Sequence, residues 1–303
     1  MFRKKQEEIE IEGRINAVPV SHPGRIVGVL AVLLVVAVVI SDLFANPNYR
    51  FDVVGEYLFN PRILSGVMWT FILTASSMVI GVVLSMVLAI MRQSDNYVLR
   101  GTSWFFIWFF RGTPVYMQLV FWGLVGVLYP KIALGIPFGP TFFEFSTAEI
   151  FTGGVAAVLG LSLNESAYMS EIVRAGFQAV DPGQAEAGKT LGMSRQQIML
   201  RITLPQAMRI IVPPIGNETI SMLKTTSLVL AVPFAADLMY VTDAIAGRTF
   251  LPIPLLIVGG IWYLSCTSVL MVIQARVERY FGKGHDSKVQ VDKNANIEVT
   301  ASV

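Results

Sequence analysis

The chain has 303 residues, 54% hydrophobic and 15% charged, with a formal net charge of +2. Soluble domains carry about 25% charged residues, so composition excludes a soluble globular protein and points to a polytopic membrane protein. The small net charge gives no reason to expect nucleic acid. One cysteine, Cys266, in an apolar run and two histidines, His22 and His285, in the polar ends offer no internal disulfide, metal set or histidine-based catalytic set.

Residues 1–25 mix Arg3, Lys4 and Lys5 with Glu7, Glu8, Glu10 and Glu12, which reads as a solvated tail. The apolar run 26–43 is too long for a signal-peptide core and lacks a small-residue cleavage site. It reads as an additional N-terminal transmembrane helix within 26–45. A polar loop, 46–61, precedes a second span at 63–91, where Gly81, Ser85 and Ala89 recur at every fourth position and permit close helix approach. After the basic loop 92–100, the aromatic run 104–110 (WFFIWFF) resembles an interfacial belt. Arg111-Gly112-Thr113-Pro114 then breaks the backbone before a third span, 115–129. A loop with prolines and glycines, 130–146, leads to a fourth span at 148–175. That span is unusually polar, carrying Ser162, Asn164, Glu165, Tyr168, Ser170 and Glu171.

Residues 181–205 are the longest polar interruption between apolar segments, and they read as two short helices around a tight turn. Asp181 suits an N-cap and Pro182 the first helical position, where a missing N–H costs nothing. Residues 184–191 are mostly helix formers, and Gly192 sits where a left-handed residue ends the helix. Ser194 and Gln197 make a capping box for a second helix, whose Ile198 and Ile202 oppose Arg195 and Arg201. Pro205 opens the next apolar segment. Residues 183–190 also satisfy the nucleotide-binding P-loop pattern, but their neighbours favour helix over a phosphate-wrapping loop, and no strand precedes them. We read the match as chance, so the chain has no energy source of its own.

The fifth span, 206–232, carries Pro213-Pro214-Ile215-Gly216-Asn217-Glu218 and Lys224-Thr225-Thr226-Ser227. A short connection, 237–249, precedes the sixth span at 250–274, and a polar tail occupies 284–303. Six spans place both termini on one side. Inner loops and span ends hold Arg92, Arg100, Arg111, Arg174, Lys189, Arg195, Arg201, Arg209, Arg276, Arg279 and Lys283; the outer ones hold only Arg50, Arg62, Lys131 and Arg248. That bias makes the hairpin and both termini cytoplasmic.

Charged groups in spans belong in the bundle interior or a wet cavity. Asn217, Ser221 and Lys224 fall on one face of the fifth span, with Glu218 and Thr225 beside them. They either line a solute path or bond across helices, for instance Glu218 or Glu165 with Lys224. Glu165 is deep and has no local partner, whereas Glu171 and Arg174 are spaced as a structural pair. Arg111 reads as an inner-interface anchor that snorkels, and Gln118 either bonds a neighbouring helix or lines the path.

Glu186-Ala187, then Gly192, nine residues and Ile202-x-Leu204-Pro205 resemble the EAA loop of bacterial ABC importer permeases. Three further stretches resemble the polar amino acid subfamily: Arg111-Gly112-Thr113-Pro114 with Gln118; Ala167-Tyr168 with Glu171 and Arg174; and Leu204-Pro205-Gln206-Ala207 leading to Pro214, Gly216-Asn217 and Lys224-x-Thr226-Ser227-Leu228. The resemblance implies an all-α permease domain over 63–281, of the type I ABC importer class, with a coupling loop at 181–205. It implies a membrane subunit that is not an enzyme and moves polar amino acids across the cytoplasmic membrane by alternating access.

Its implied partners are a cytoplasmic ABC ATPase, an extracytoplasmic amino acid-binding protein, a second permease subunit (identical or related) and membrane lipid. ATP and magnesium would belong to the ATPase, with no cofactor here. Carried over, Ala185, Glu186, Ala187, Gly188, Leu191, Gly192 and Pro205 would couple to the ATPase. Glu165, Asn217, Glu218, Ser221 and Lys224 would be candidates for the solute path. Gly188 departs from the family's usual second alanine, and Thr225 stands where an aspartate often precedes Thr-Ser. The alternative, an ion-coupled secondary transporter, is opposed by the lack of matching halves and by a hairpin with no intramembrane role. A membrane enzyme lacks its constellation, and a receptor lacks a sensor-sized soluble domain.

Overall fold

The structure is a computed structural model that describes residues 23–136 and 141–282. Residues 1–22 of the expected N-terminal tail and the tail 284–303 lie outside the described residues. The chain divides into two compact units, Met1–Arg50 and Phe51–Val303.

In the first unit, α1 (Pro23–Ala45) has 23 residues, about 34 Å of helix at 1.5 Å per residue. That length crosses a hydrocarbon core of about 30 Å. Apolar residues occupy every face, and no residue of its most apolar stretch is buried. A helix apolar all round belongs in lipid or in a large core. A 3₁₀ turn, Pro47–Tyr49, follows, where Asn46 Oδ1 accepts from the Asn48 N–H at 3.1 Å.

The second unit contains α2 (Phe51–Leu58), α3 (Pro61–Arg92), α4 (Tyr97–Gly112), α5 (Val115–Leu128), strands β1 (Lys131–Gly135) and β2 (Thr141–Ser146), and a one-turn α6 (Thr147–Ile150). Then come α7 (Gly153–Gln178), α8 (Pro182–Thr190), α9 (Arg195–Ile198), a π-helical turn (Met199–Thr203), α10 (Leu204–Thr225) with a 3₁₀ extension (Thr226–Ala231), α11 (Leu238–Thr249) and α12 (Pro252–Phe281). Besides α1, three helical runs among the described residues are long and apolar enough to cross a membrane: Pro61–Arg92, Arg195–Ala231 and Pro252–Phe281. The polar α7, of 26 residues, lies among them. It packs parallel to α3 in the most extensive helix contact of the fold.

That packing follows from the small residues read in the sequence. Gly81, Ser85 and Ala89 are all buried. A Cβ on Gly81 would lie 2.7 Å from Met169 Cε and 3.6 Å from Glu165 Cβ, so a larger residue there would have to displace the end of the Met169 side chain. Three apolar clusters then order the bundle. Ala89, Val173, Ala207 and Ile211 close the end that carries α8. Leu73, Leu119, Leu161, Met169 and Met222 fill the middle. Val53, Ile63, Leu238, Leu255 and Val258 close the far end.

Several elements differ from the sequence expectation. The aromatic run 104–110 lies inside α4, and α4 and α5 together make one return pass, broken at Thr113-Pro114. The supposed loop 130–146 contains an antiparallel hairpin pairing Lys131 with Ser146 and Ile132 with Phe145, a small sheet added to the otherwise helical fold. Lys131 Nζ lies 2.8 Å from Glu144 Oε1, and the hydrogen bond with that carboxylate raises the ammonium above its ordinary pKa. The connection 237–249 is mostly helix α11, N-capped by buried Asp237, whose Oδ2 and Oδ1 accept from the Met239 and Tyr240 N–H groups at 3.0 and 3.1 Å.

Pro205 does not open a separate segment. The π turn lets the Leu204 N–H reach Met199 O, one residue beyond the α-helical acceptor, just before a residue that has no N–H. The helix from Arg195 to Ala231 is therefore continuous.

Candidate functional site

Thr113 is extended, as a residue before proline prefers, and this ends α4 abruptly. The carbonyls freed there would be costly to bury alone. Thr113 Oγ1 donates to Phe109 O at 2.9 Å. Gln118 Nε2 donates to Phe110 O at 2.9 Å and reaches Thr113 O at 3.0 Å. From α7, Asn164 Nδ2 donates to Phe110 O at 3.0 Å and to Gln118 Oε1 at 3.2 Å. Gln118 thus does both jobs of a helix-bonding residue: it repairs the break and ties it to α7. Gln118→Leu is expected to orphan these groups and lower stability by about 1–3 kcal/mol, read as an earlier thermal transition in detergent.

Beyond the break, α5 starts at Val115 with no side-chain cap, so its first-turn N–H groups present a partial positive charge. Val115 borders a cavity of about 200 Å³ that is also lined by Asn164, Glu165, Glu218, Ser221 and Thr225. Glu165 is 7% exposed, and its Oε1 is buried with no hydrogen-bond partner. The cavity therefore has a helix N-terminus at one wall and two carboxylates at others.

Of the residues singled out from sequence, the structure brings Glu165, Glu218 and Ser221 to this cavity and leaves Asn217 and Lys224 outside its lining. Asn217, Ser221 and Lys224 do share one exposed face of α10. Asn217 Nδ2 lies 3.5 Å from Glu278 Oε1 of α12. Among the described residues Lys224 forms no ion pair, so its pairing with Glu165 or Glu218 is not made. Glu171 and Arg174 do pair, at 2.6 Å. Arg111 stacks over the Tyr168 ring at 5.2 Å rather than extending free.

Sequence reading missed Gln274. Its Nε2 donates to Pro213 O at 2.7 Å and to Glu278 Oε1 at 3.0 Å, and its amide packs directly onto Gly216. Its signal was a lone amide in an apolar span, facing the paired prolines of α10.

The polar hairpin is built as its caps dictate. Asp181 Oδ1 accepts from the Gly183 N–H at 2.8 Å, with Pro182 in the first helical turn. At the other end the Gly192 N–H bonds Lys189 O at 2.9 Å and the Met193 N–H bonds Gly188 O at 3.0 Å. This is a Schellman closure, with Gly192 at φ +75°. Ser194 and Gln197 exchange bonds at 3.3 and 2.9 Å. Residues 183–190 are thus helix rather than a phosphate loop.

Gly188 is the buried residue of α8. A Cβ there would meet Ile198 Cγ1 at 3.0 Å and Ile202 Cδ1 at 3.1 Å. This contact locks α8 onto the helix that follows. Gly188→Ala requires shifts of tenths of an ångström, whereas Gly188→Val is expected to wedge the hairpin open at about 1–3 kcal/mol. Faster hydrogen exchange confined to 182–204 would register it. Glu186, Ala187, Gly192 and Pro205 are exposed, Ala185 is half-buried, and Leu191 is 81% exposed. The hairpin and the cavity share one body, because the run Arg195–Ala231 begins beside α8 and carries Glu218 and Ser221.

Comparison with known proteins agrees with this geometry. Residues 81–283 match the family described as binding-protein-dependent transport system inner membrane component. The arginine transport system permease protein of Corynebacterium glutamicum is 49% identical over 270 residues, covering 89% of this chain and 84% of the relative. The L-cystine transport system permease protein of Bacillus subtilis is 33% identical, covering 74% of this chain and 90% of the relative. Among solved structures, an amino acid ABC transporter crystallised with histidines has 33% identity and a TM-score of 0.61, covering 73% of this chain and 95% of its own. A capped hairpin on a continuous helix, with sequence matches across most of both chains, leaves one assignment: the chain belongs to the family of binding-protein-dependent transport system inner membrane components, the membrane permeases of ABC importers.

Proposed function

We propose that this chain is the permease of an ATP-driven importer for cationic amino acids. The observation that carries the substrate class is the buried, unpartnered Oε1 of Glu165 in a cavity that also receives Glu218. An unpaired carboxylate oxygen inside a span is costly, and a guanidinium or ammonium group would offset that cost. The α5 N-terminus would take the solute's α-carboxylate. The Corynebacterium relative, named for arginine, supports the same class.

In this reading the hairpin and both termini are cytoplasmic, and α8 sits in a cleft of an ABC ATPase through Ala185, Glu186, Ala187, Leu191 and Gly192. Gly188 and Pro205 hold the hairpin's shape. ATP and magnesium belong to that ATPase. The exposed face of Asn217, Ser221 and Lys224 on α10 is covered by a second permease, identical or related. An extracytoplasmic amino acid-binding protein delivers solute to the opposite side. ATPase closure moves the hairpin, and the continuous helix carries that movement to Glu218 and Ser221. The bend is the break at Thr113-Pro114, between α4 and α5.

The test is uptake of L-arginine into proteoliposomes holding the assembled transporter, with ATP and the binding protein. L-lysine is expected to compete and L-glutamate to leave uptake unchanged. Equal competition by L-glutamate or L-cystine would overturn the cationic class.

A further inference from the structure

The strands β1 and β2 leave the bundle between the end of α5 and the start of α7, at the end away from α8. Their base is fixed to α5. The Thr147 N–H donates to Pro130 O at 3.0 Å, a Cβ on Gly126 would lie 3.9 Å from Thr147 Cγ2, and Trp122 stacks on Phe151 with ring centroids 6.3 Å apart. Beyond the base, the pairing register sorts side chains by face, because direct partners in a ladder project to the same side. Ile132 opposite Phe145, with Phe143 two residues along, makes one face apolar, and the rings of Phe143 and Phe145 stack at 6.4 Å. Lys131, Ala133, Glu144 and Ser146 fall on the other face, where Lys131 and Glu144 pair. The chain leaves the apolar face bare: Phe143 is 64% and Phe145 42% exposed, and none of the three apolar clusters includes a residue of either strand. A two-stranded sheet is marginal in water unless its apolar face packs against something.

We propose that this face rests on the lipid surface, as a two-stranded foot at the headgroup level of the leaflet away from α8. Continuity with the surface of α5 identifies the occupant. Met117, Phe121, Leu124 and Leu128 recur at i, i+4, i+7 and i+11, and all are exposed, so an apolar stripe runs along that helix. Tyr129, 62% exposed, carries the stripe to the root of β1, and tyrosine at the end of a span belongs at the membrane–water interface. The strands' charged residues, Lys131 and Glu144, neutralise each other on the opposite face, so the hairpin offers no net charge for a protein partner to select. With the apolar face down, that ion pair stays in water. The foot holds one end of α5 at a fixed depth, while the other end borders the cavity of Glu165 and Glu218. The proposal requires that the bundle spans a membrane but not that either end is cytoplasmic.

The experiment attaches a nitroxide to single cysteines of the full chain, assembled in nanodiscs, with the buried Cys266 replaced by serine. It compares collision of the label with oxygen, which concentrates in lipid, and with a water-soluble nickel chelate. Phe143→Cys and Phe145→Cys are expected to collide more with oxygen and Glu144→Cys more with nickel, the order reversing at each residue as the strand alternates. The exposed ion pair lost in Glu144→Cys is worth about 0–1 kcal/mol, so the hairpin survives it. Ile132→Cys and Ala133→Cys repeat the comparison on β1 with that pair intact. Nickel dominating at Ile132, Phe143 and Phe145 would put the face in water and overturn the proposal. Low rates with both reagents at those three positions would also overturn it, by assigning the face to a protein, either a second copy of this chain or another partner.

Discussion

Gly192→Val is expected to leave the chain inserted and folded while reducing ATP-dependent uptake more than tenfold. The reason is confined to the backbone. Gly192 has φ +75°, and a Cβ there would meet nothing within 4 Å, so no clash with a neighbour enters. A β-branched residue in this conformation costs about 1–3 kcal/mol, enough to unwind the closure between Gly188, Lys189 and the turn. The hairpin tip, with Leu191, would then lose its fixed position. Gly192→Asn, which tolerates the left-handed region, should retain most uptake. The comparison of the two variants separates loss of shape from loss of glycine. Equal uptake by wild type and Gly192→Val would remove the hairpin from the coupling path.

Glu165→Gln should produce the second large effect, on solute affinity rather than coupling. Removing one partner of a buried, charge-assisted contact costs about 2–5 kcal/mol, so the apparent KM for L-arginine should rise at least about thirtyfold. Thermal stability without solute should hold or increase, because the neutral amide is cheaper to bury than an unpaired carboxylate. A purely structural Glu165 gives the opposite pattern, a lower Tm with KM unchanged. Glu218→Gln should show a weaker version, since Glu218 is only partly buried.

The legible parts of this chain were those governed by local backbone chemistry. Asp181, Pro182, Gly192, Ser194 and Gln197 each act within four residues of their own position, and the hairpin they prescribe is the one formed. Gly81, Ser85 and Ala89 likewise signalled a close helix contact, although nothing in the sequence named α7 as the partner. What stayed hidden depends on contacts distant in sequence. The bond of Asn164 to Phe110 O joins residues 54 apart, and Gln274 reaches Pro213 across 61.

The hairpin of β1 and β2 was obscured because Phe142, Phe143 and Phe145 do not alternate cleanly with polar residues, and prolines nearby read as loop. The aromatic run 104–110 announced an interfacial belt but not the helix α4 that carries it, because aromatic residues serve both at interfaces and inside spans. For the cavity, the polar residues were visible, but which of them met was not. Ser221 and Glu218 border it while Lys224 does not, a difference of helical phase set by how α10 packs.

Accessibility of a single cysteine at the hairpin tip tests the central claim most directly. Cys266, the one native cysteine, is buried, so Leu191→Cys places the reactive thiol at an 81% exposed position. A membrane-impermeant maleimide is expected to spare it in intact cells, to label it in inside-out vesicles, and to be blocked when the ATPase subunit is added. Labelling from outside the cell, or labelling in vesicles that the ATPase leaves unchanged, would contradict the account.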